Sequence, residues 1–132
     1  MSWLAWWVAL GSAIGGVTRF ILGSWIQSTR GSEFPLATLV INITGSLLLG
    51  FLLRFMLDSP SVRPEVRMLL TTGFCGGYTT FSTFSYEAVS LIEDGDTRRA
   101  LLYVFFSVVG SFAAAAIGMA IARRSLDWAG HQ

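Results

Sequence analysis

The sequence predicts an all-α membrane protein: one domain over residues 1–132, with four transmembrane helices and the third broken near the bilayer midplane. Three observations predict it. Of the 132 residues, 53% are hydrophobic and only 13% charged, about half the charge of an ordinary soluble domain. A water-soluble protein of this size could not hide so much apolar surface. The apolar residues fall in four stretches, roughly 3–26, 36–57, 66–92 and 100–122, each near the ~20 residues that cross the hydrocarbon. The third stretch carries TTGFCGGYTTFSTFS (residues 71–85), with a glycine pair, a run of hydroxyls and two phenylalanines three apart. Polar, broken backbone at membrane depth is tolerated where it is buried in protein or lines a wet path. The segment therefore reads as the lining of an ion path, held in place by the rest of the chain.

The first helix opens with Trp3, Trp6 and Trp7 and closes with Trp25, where an aromatic belt at each interface would put them. Met1 and Ser2 form no charged n-region before the apolar run, so the start does not read as a secretory signal. Gly11 and Gly15 make a small-xxx-small pair that lets another helix approach closely. Arg19 lies about 10 Å of helix from the Trp25 end. It either snorkels to the interface or faces protein and braces the bundle or a water-filled vestibule.

Helix 2 follows Pro35, a residue tolerated at a helix start. Its residues Thr38, Asn42 and Gly45 share one face by steps of four and three. An amide in hydrocarbon costs several kcal/mol unless it finds partners, so Asn42 either bonds a neighbouring helix or serves as a pore-lining donor. In helix 3 the expected break is at Gly76-Gly77, where glycine frees the backbone and the following threonines can satisfy exposed groups. The alternative is a glycine pair used only for close packing. A break leaves carbonyls without helical partners, and these are hard oxygen ligands for a small cation. Beyond it Thr80, Phe84 and Glu87 share a face, with Glu87 about 12 Å further along the helix and toward a vestibule. Helix 4 carries a second polar stripe, Tyr103, Ser107, Gly110 and Ser111. The charged loop 93–99 reads as solvated anchoring. The tail from Arg123 onward reads as polar, and His131 as inert.

Net charge is +1, which suggests no nucleic acid. Cys75 is the only cysteine, so no intrachain disulfide is possible and no cysteine zinc site is plausible. With four spans, Arg54, Arg63, Arg67, Arg123 and Arg124 fall on one side and Arg30, Arg98 and Arg99 on the other, with Arg19 leaning toward the latter. That arginine bias, which normally sets orientation, is about one or two residues. Insertion in both orientations would follow, and with it an antiparallel, dual-topology homodimer. Four helices are few to enclose a pore alone, and a second copy would supply the missing wall.

The run GFCGGYTTFSTFS, with Asn42 in TLVINITGSLLLG and Arg19 in GGVTRF, resembles the Fluc (CrcB) fluoride-channel family over essentially the whole chain. The resemblance implies an antiparallel homodimer in the cell inner membrane, with two fluoride pores and passive efflux of cytoplasmic fluoride. It implies a structural sodium ion at the dimer centre, held by the backbone carbonyls of Gly76 and Thr79 from each subunit. It places Asn42, Phe81 and Phe84 in the pore, a polar track on Thr38, Ser82, Thr83, Tyr103, Ser107 and Ser111, and Arg19 and Glu87 near the vestibules. Tyr78 stands where relatives often have leucine, which bears on local packing. The residue chemistry agrees: hydroxyls and an amide can donate to fluoride, and the positive edge of a phenyl ring can face an anion.

Two rival readings differ in class. A proton-coupled exporter needs a carboxylate deep in the membrane, and helices 1, 2 and 4 have none in their interiors. A non-transporting assembly subunit would use the same glycines and hydroxyls for packing and would pass no ions. An enzyme is not expected: there is no Ser/His/Asp set, no metal-ligand cluster and no phosphate-binding glycine loop.

Overall fold

In the computed structural model, described over residues 2–31 and 33–130, every regular element is helical and no strand occurs among the described residues. His131 lies outside them. The elements are α1 (Ser2–Arg30), α2 (Leu36–Leu57), α3 (Pro64–Met68), a wide π-helical stretch (Leu69–Cys75), α4 (Gly76–Tyr78), α5 (Phe81–Glu93) and α6 (Thr97–Gly130). Among the described residues, three helices are long and apolar enough to cross a membrane: α1, α2 and the Thr97–Trp128 part of α6. α6 extends past the expected end at residue 122, because nothing from Arg123 to Ala129 breaks a helix and arginine, leucine and alanine favour one.

Helix ends follow local chemistry. Pro64 sits in the first turn of α3, where its missing N–H costs no bond. Gly95 takes φ of 81° between α5 and α6, a left-handed conformation that closes helices and suits glycine. Its N–H reaches Ile92 O at 3.0 Å, and the Asp96 N–H reaches Leu91 O at 2.9 Å. The Asp96 carboxylate then accepts the Arg99 N–H at 3.1 Å and so caps the start of α6.

Small residues set the packing. α2 and α6 form the most extensive helix pair, with Gly50 against the Ala115 backbone and Gly118 against the Leu47 carbonyl and Phe51 N–H. The buried stripe of α6 runs through Ala100, Tyr103, Ser107, Ala114 and Ala122. α1 lies backbone to backbone on the π-helical stretch and α4: a Cβ on Gly11 would strike Leu69 O, one on Gly15 would strike Phe74 O, and one on Gly77 would lie 2.5 Å from Ser12 O. Apolar side chains such as Phe20, Trp25, Leu101 and Phe112 stay exposed on the outer faces of these helices, as suits a hydrocarbon solvent.

The interruption of the third segment lies two residues beyond the expected glycine pair. Gly76 is helical, with φ −65° and ψ −36°, while Thr79 (φ −81°, ψ 160°) and Thr80 (φ −152°, ψ 114°) are extended. Gly77 serves close packing against α1, and the chain leaves the helix only where Thr80 finds partners elsewhere.

Candidate functional site

Those partners come from α2. Asn42 Nδ2 donates to Thr80 O at 3.0 Å, and the Thr80 N–H donates to Asn42 Oδ1 at 2.8 Å. One carboxamide thus satisfies both backbone groups of an extended residue, as a neighbouring strand would. Thr80 also caps α5: its Oγ1 accepts the Thr83 N–H at 3.2 Å and lies 3.0 Å from Thr83 Oγ1, the N-cap arrangement. On the other side, Thr79 donates both its N–H (3.0 Å) and its hydroxyl (2.9 Å) to Cys75 O. Because the Thr80 N–H is taken by Asn42, the Gly76 carbonyl four residues earlier loses its helical donor.

A cavity of about 260 Å³ opens beside this interruption. Its polar wall includes Asn42, Thr79, Thr80, Ser107 and Ser111, and its aromatic wall includes Phe81 and Phe84. The Ser107 hydroxyl is buried and has no hydrogen-bond partner among the described residues. Buried polar groups are nearly always paired, so this hydroxyl marks a place that wants an acceptor or a water. Phe81 and Phe84 sit 5.5 Å apart between ring centroids. Phe84 continues onto Tyr103 at 5.2 Å, so the rings lead from the cavity to a second cluster.

That cluster joins three helices. Glu87 Oε1 accepts from Thr38 Oγ1 at 2.9 Å, and Glu87 Oε2 accepts from the Tyr103 hydroxyl at 2.6 Å. Both distances lie in the ordinary range of O–H···O hydrogen bonds. Glu87 also lines a second cavity, of about 220 Å³, with Arg30, Glu33, Phe34, Ser90 and Asp94. Glu87 and Tyr103 therefore stand between the two cavities, with Phe84 on one side.

The structure brings Asn42, Phe81, Phe84, Ser107 and Ser111 to one cavity, and Thr38, Glu87 and Tyr103 to the cluster beside it. Ser82 and Thr83 lie outside the cavity wall and belong to the Thr80 cap, with Ser82 Oγ 3.3 Å from Thr80 Oγ1. Arg19 joins neither group and makes no hydrogen bond or ion pair with the described residues. The sequence reading missed two contacts. Tyr78 stacks on Phe74 at 5.8 Å and its hydroxyl lies 2.9 Å from Thr44 Oγ1; a threonine in an apolar helix was the available signal. Phe34 meets Tyr103 edge to face, and nothing local in the sequence marks it.

The cavity is walled in part by α2 and α6, two helices long and apolar enough to cross a membrane; the chain is a multi-pass α-helical membrane protein. The profile of a family described as CrcB-like protein, Camphor Resistance (CrcB), matches residues 6–119. The chain is 44% identical over 116 residues (88% of this chain, 93% of the relative) to a protein of Rhizobium meliloti named "Fluoride-specific ion channel FluC". Proteins of the same name from Syntrophotalea carbinolica, 42% identical over 118 residues (89% and 96%), and Aquifex aeolicus, 42% identical over 111 residues (78% and 90%), are similarly close. The chain belongs to the CrcB family.

Proposed function

We propose that this chain is a fluoride-selective channel that releases cytoplasmic fluoride passively across the inner membrane. The observation that carries this reading is the cavity of Asn42, Ser107, Ser111, Phe81 and Phe84, with the unpartnered Ser107 hydroxyl in its wall. It offers donors and ring edges to a small anion, and no arginine lines it to trap the ion. The relatives, named fluoride-specific ion channels, suggest the ion. In this reading the segment from Pro64 to Glu93 crosses the membrane as two half-helices, the third of four crossings in each subunit.

The same reading makes the working unit an antiparallel homodimer with two pores. Phe81 is 79% exposed in the single chain, so a path along its ring needs a wall from a second copy. A structural sodium ion between the copies fits the residues present. The Gly76 carbonyl is freed from the helical ladder, nothing lies within 4 Å of the point where a Gly76 Cβ would be, and the Thr79 carbonyl follows in extended backbone. Among the described residues no cluster of three or more His, Cys, Asp or Glu offers a side-chain site. When bound, the cation would offset part of the electrostatic cost of nearby anions.

The test is efflux from liposomes containing the purified protein, followed with a fluoride electrode and repeated with chloride. Fast fluoride loss with chloride retained is expected. No flux of either ion from a folded, monodisperse preparation would sink the channel reading.

A further inference from the structure

α1 and α2 meet at Gly23, whose Cβ position lies 3.6 Å from Ile41 Cδ1. Toward the loop that joins them, the two helices leave a groove of about 290 Å³. Leu22, Trp25, Leu36 and Val40 line it, and Thr29 and Arg30 stand at the end nearer the loop. Its depth in the membrane follows from α1. Trp6 and Trp25 are both exposed, and the helix rises about 28 Å between them, close to the ~30 Å of hydrocarbon. Tryptophans so spaced sit at the two edges of the apolar layer. Arg30 lies about 7 Å beyond Trp25 along the axis. The headgroup layer adds roughly 5–7 Å on each side of the hydrocarbon, so the guanidinium stands at the level of lipid phosphates. Leu22 lies about 4 Å inside Trp25, at the depth where acyl chains begin.

Two donors on this groove have no partner among the described residues: the Arg30 guanidinium and the Trp25 indole N–H. The Thr29 hydroxyl is taken by the Trp25 carbonyl. Arg99, on the same side of the protein, is by contrast held by Glu33 and Asp96. A cation in the last turn of α1 offsets the helix dipole, which accounts for the charge but not for an apolar groove leading inward from it. We propose that the α1–α2 groove is a binding site for one acidic phospholipid. Its phosphate sits on Arg30, its ester groups at the Trp25 indole, and an acyl chain along Leu22, Leu36 and Val40. The planar guanidinium fork matches a phosphate, and an indole is apolar along its body with a donor at its tip. A zwitterionic headgroup would bring its own cation up to Arg30, so a net negative lipid is favoured.

The inference needs only the membrane placement and stands apart from the channel reading. The purified protein in detergent is mixed with phosphatidylglycerol or phosphatidylcholine, and the lipid bound per subunit is read by native mass spectrometry. One phosphatidylglycerol per subunit should be retained, in preference to phosphatidylcholine. Arg30→Gln should lower its retention about fivefold, the scale of an exposed charge pair, and Arg30→Lys should restore most of it. Val40→Trp, which fills the groove, should lower retention of both lipids while gel filtration stays unchanged. Glycerol phosphate, which has the phosphate without the chains, should not displace the bound lipid. Equal retention of the two lipids with no effect of Arg30→Gln would overturn the site and leave only bulk lipid contact. Displacement by glycerol phosphate would overturn it in favour of a soluble phosphate. No lipid above the detergent background would overturn it as well, and would leave the groove to be covered by a second copy of the chain.

Discussion

The Asn42 carboxamide and the Thr80 peptide form a closed two-bond ring, with N···O distances of 3.0 and 2.8 Å. The ring fixes where the third segment leaves the helix and turns Asn42 toward the cavity. A single amide thereby couples the integrity of the interruption to the lining of the proposed pore.

Asn42→Leu should therefore damage folding first. Losing it leaves both Thr80 backbone groups without partners, at roughly 1–3 kcal/mol for each buried group. Asn42→Asp keeps the acceptor for the Thr80 N–H but puts a second acceptor against Thr80 O. Detergent-denaturation midpoints should fall in both, more in Asn42→Leu, and fluoride efflux should fall in Asn42→Asp even at temperatures where the protein stays folded. Unchanged midpoints for Asn42→Leu would show that the ring does not hold the interruption.

Phe81→Ile and Phe84→Ile should separate the roles of the two rings. Phe81 is mostly exposed in the single chain, so its replacement should change protomer stability by no more than about 0.5 kcal/mol. Phe84 packs on both Phe81 and Tyr103, so its loss should also lower the melting temperature. Both should cut fluoride efflux. Wild-type efflux in both variants would dismiss the rings as pore lining.

Ser107→Ala removes a buried hydroxyl that has no partner among the described residues. Deleting an unsatisfied polar group is neutral or stabilising. The expected result is equal or higher thermal stability with reduced fluoride efflux. Reduced stability would mean that the hydroxyl has a structural partner after all, and unchanged efflux would remove it from the ion path.

The glycine pair should respond asymmetrically. A Cβ at Gly77 meets the Ser12 backbone, which cannot yield as a side-chain tip can, so Gly77→Ala should cost about 1–3 kcal/mol from overpacking. A Cβ at Gly76 meets nothing within 4 Å, and Gly76 is already helical. Gly76→Ala should leave the protomer folded, with any loss confined to the proposed dimer contact and the proposed sodium site. Circular dichroism melts of the two variants, run beside a dimer assay, decide this.

Much was legible from the sequence because its causes are local. Hydrophobic runs long enough to span a bilayer need no partner to be recognised, and α2 coincides with the expected residues 36–57. The stripe of α6 through Tyr103 and Ser107 follows from helical spacing and is buried as that spacing requires. The motif after Cys75 was specific enough to carry the family. The place of the interruption was not legible. Glycine at 76 and 77 permits a break, but permission is not a cause, and the helix continues until Thr80 is offered a better partner than Gly76 O.

By itself the sequence determined the apolar helices, the polar residues placed among them, and membership of a family, since composition, period and motif belong to each stretch alone. Only the tertiary structure decided that Asn42 bonds the backbone of Thr80 rather than standing free, that Ser107 is buried without a partner among the described residues while Thr83 is consumed by a cap, and that Phe34 lies on Tyr103. Each of these depends on which helix arrives alongside. A hydrogen bond or a ring contact is short-ranged, and its partner exists only once the backbones have been brought together by glycines such as Gly11, Gly50, Gly77 and Gly118.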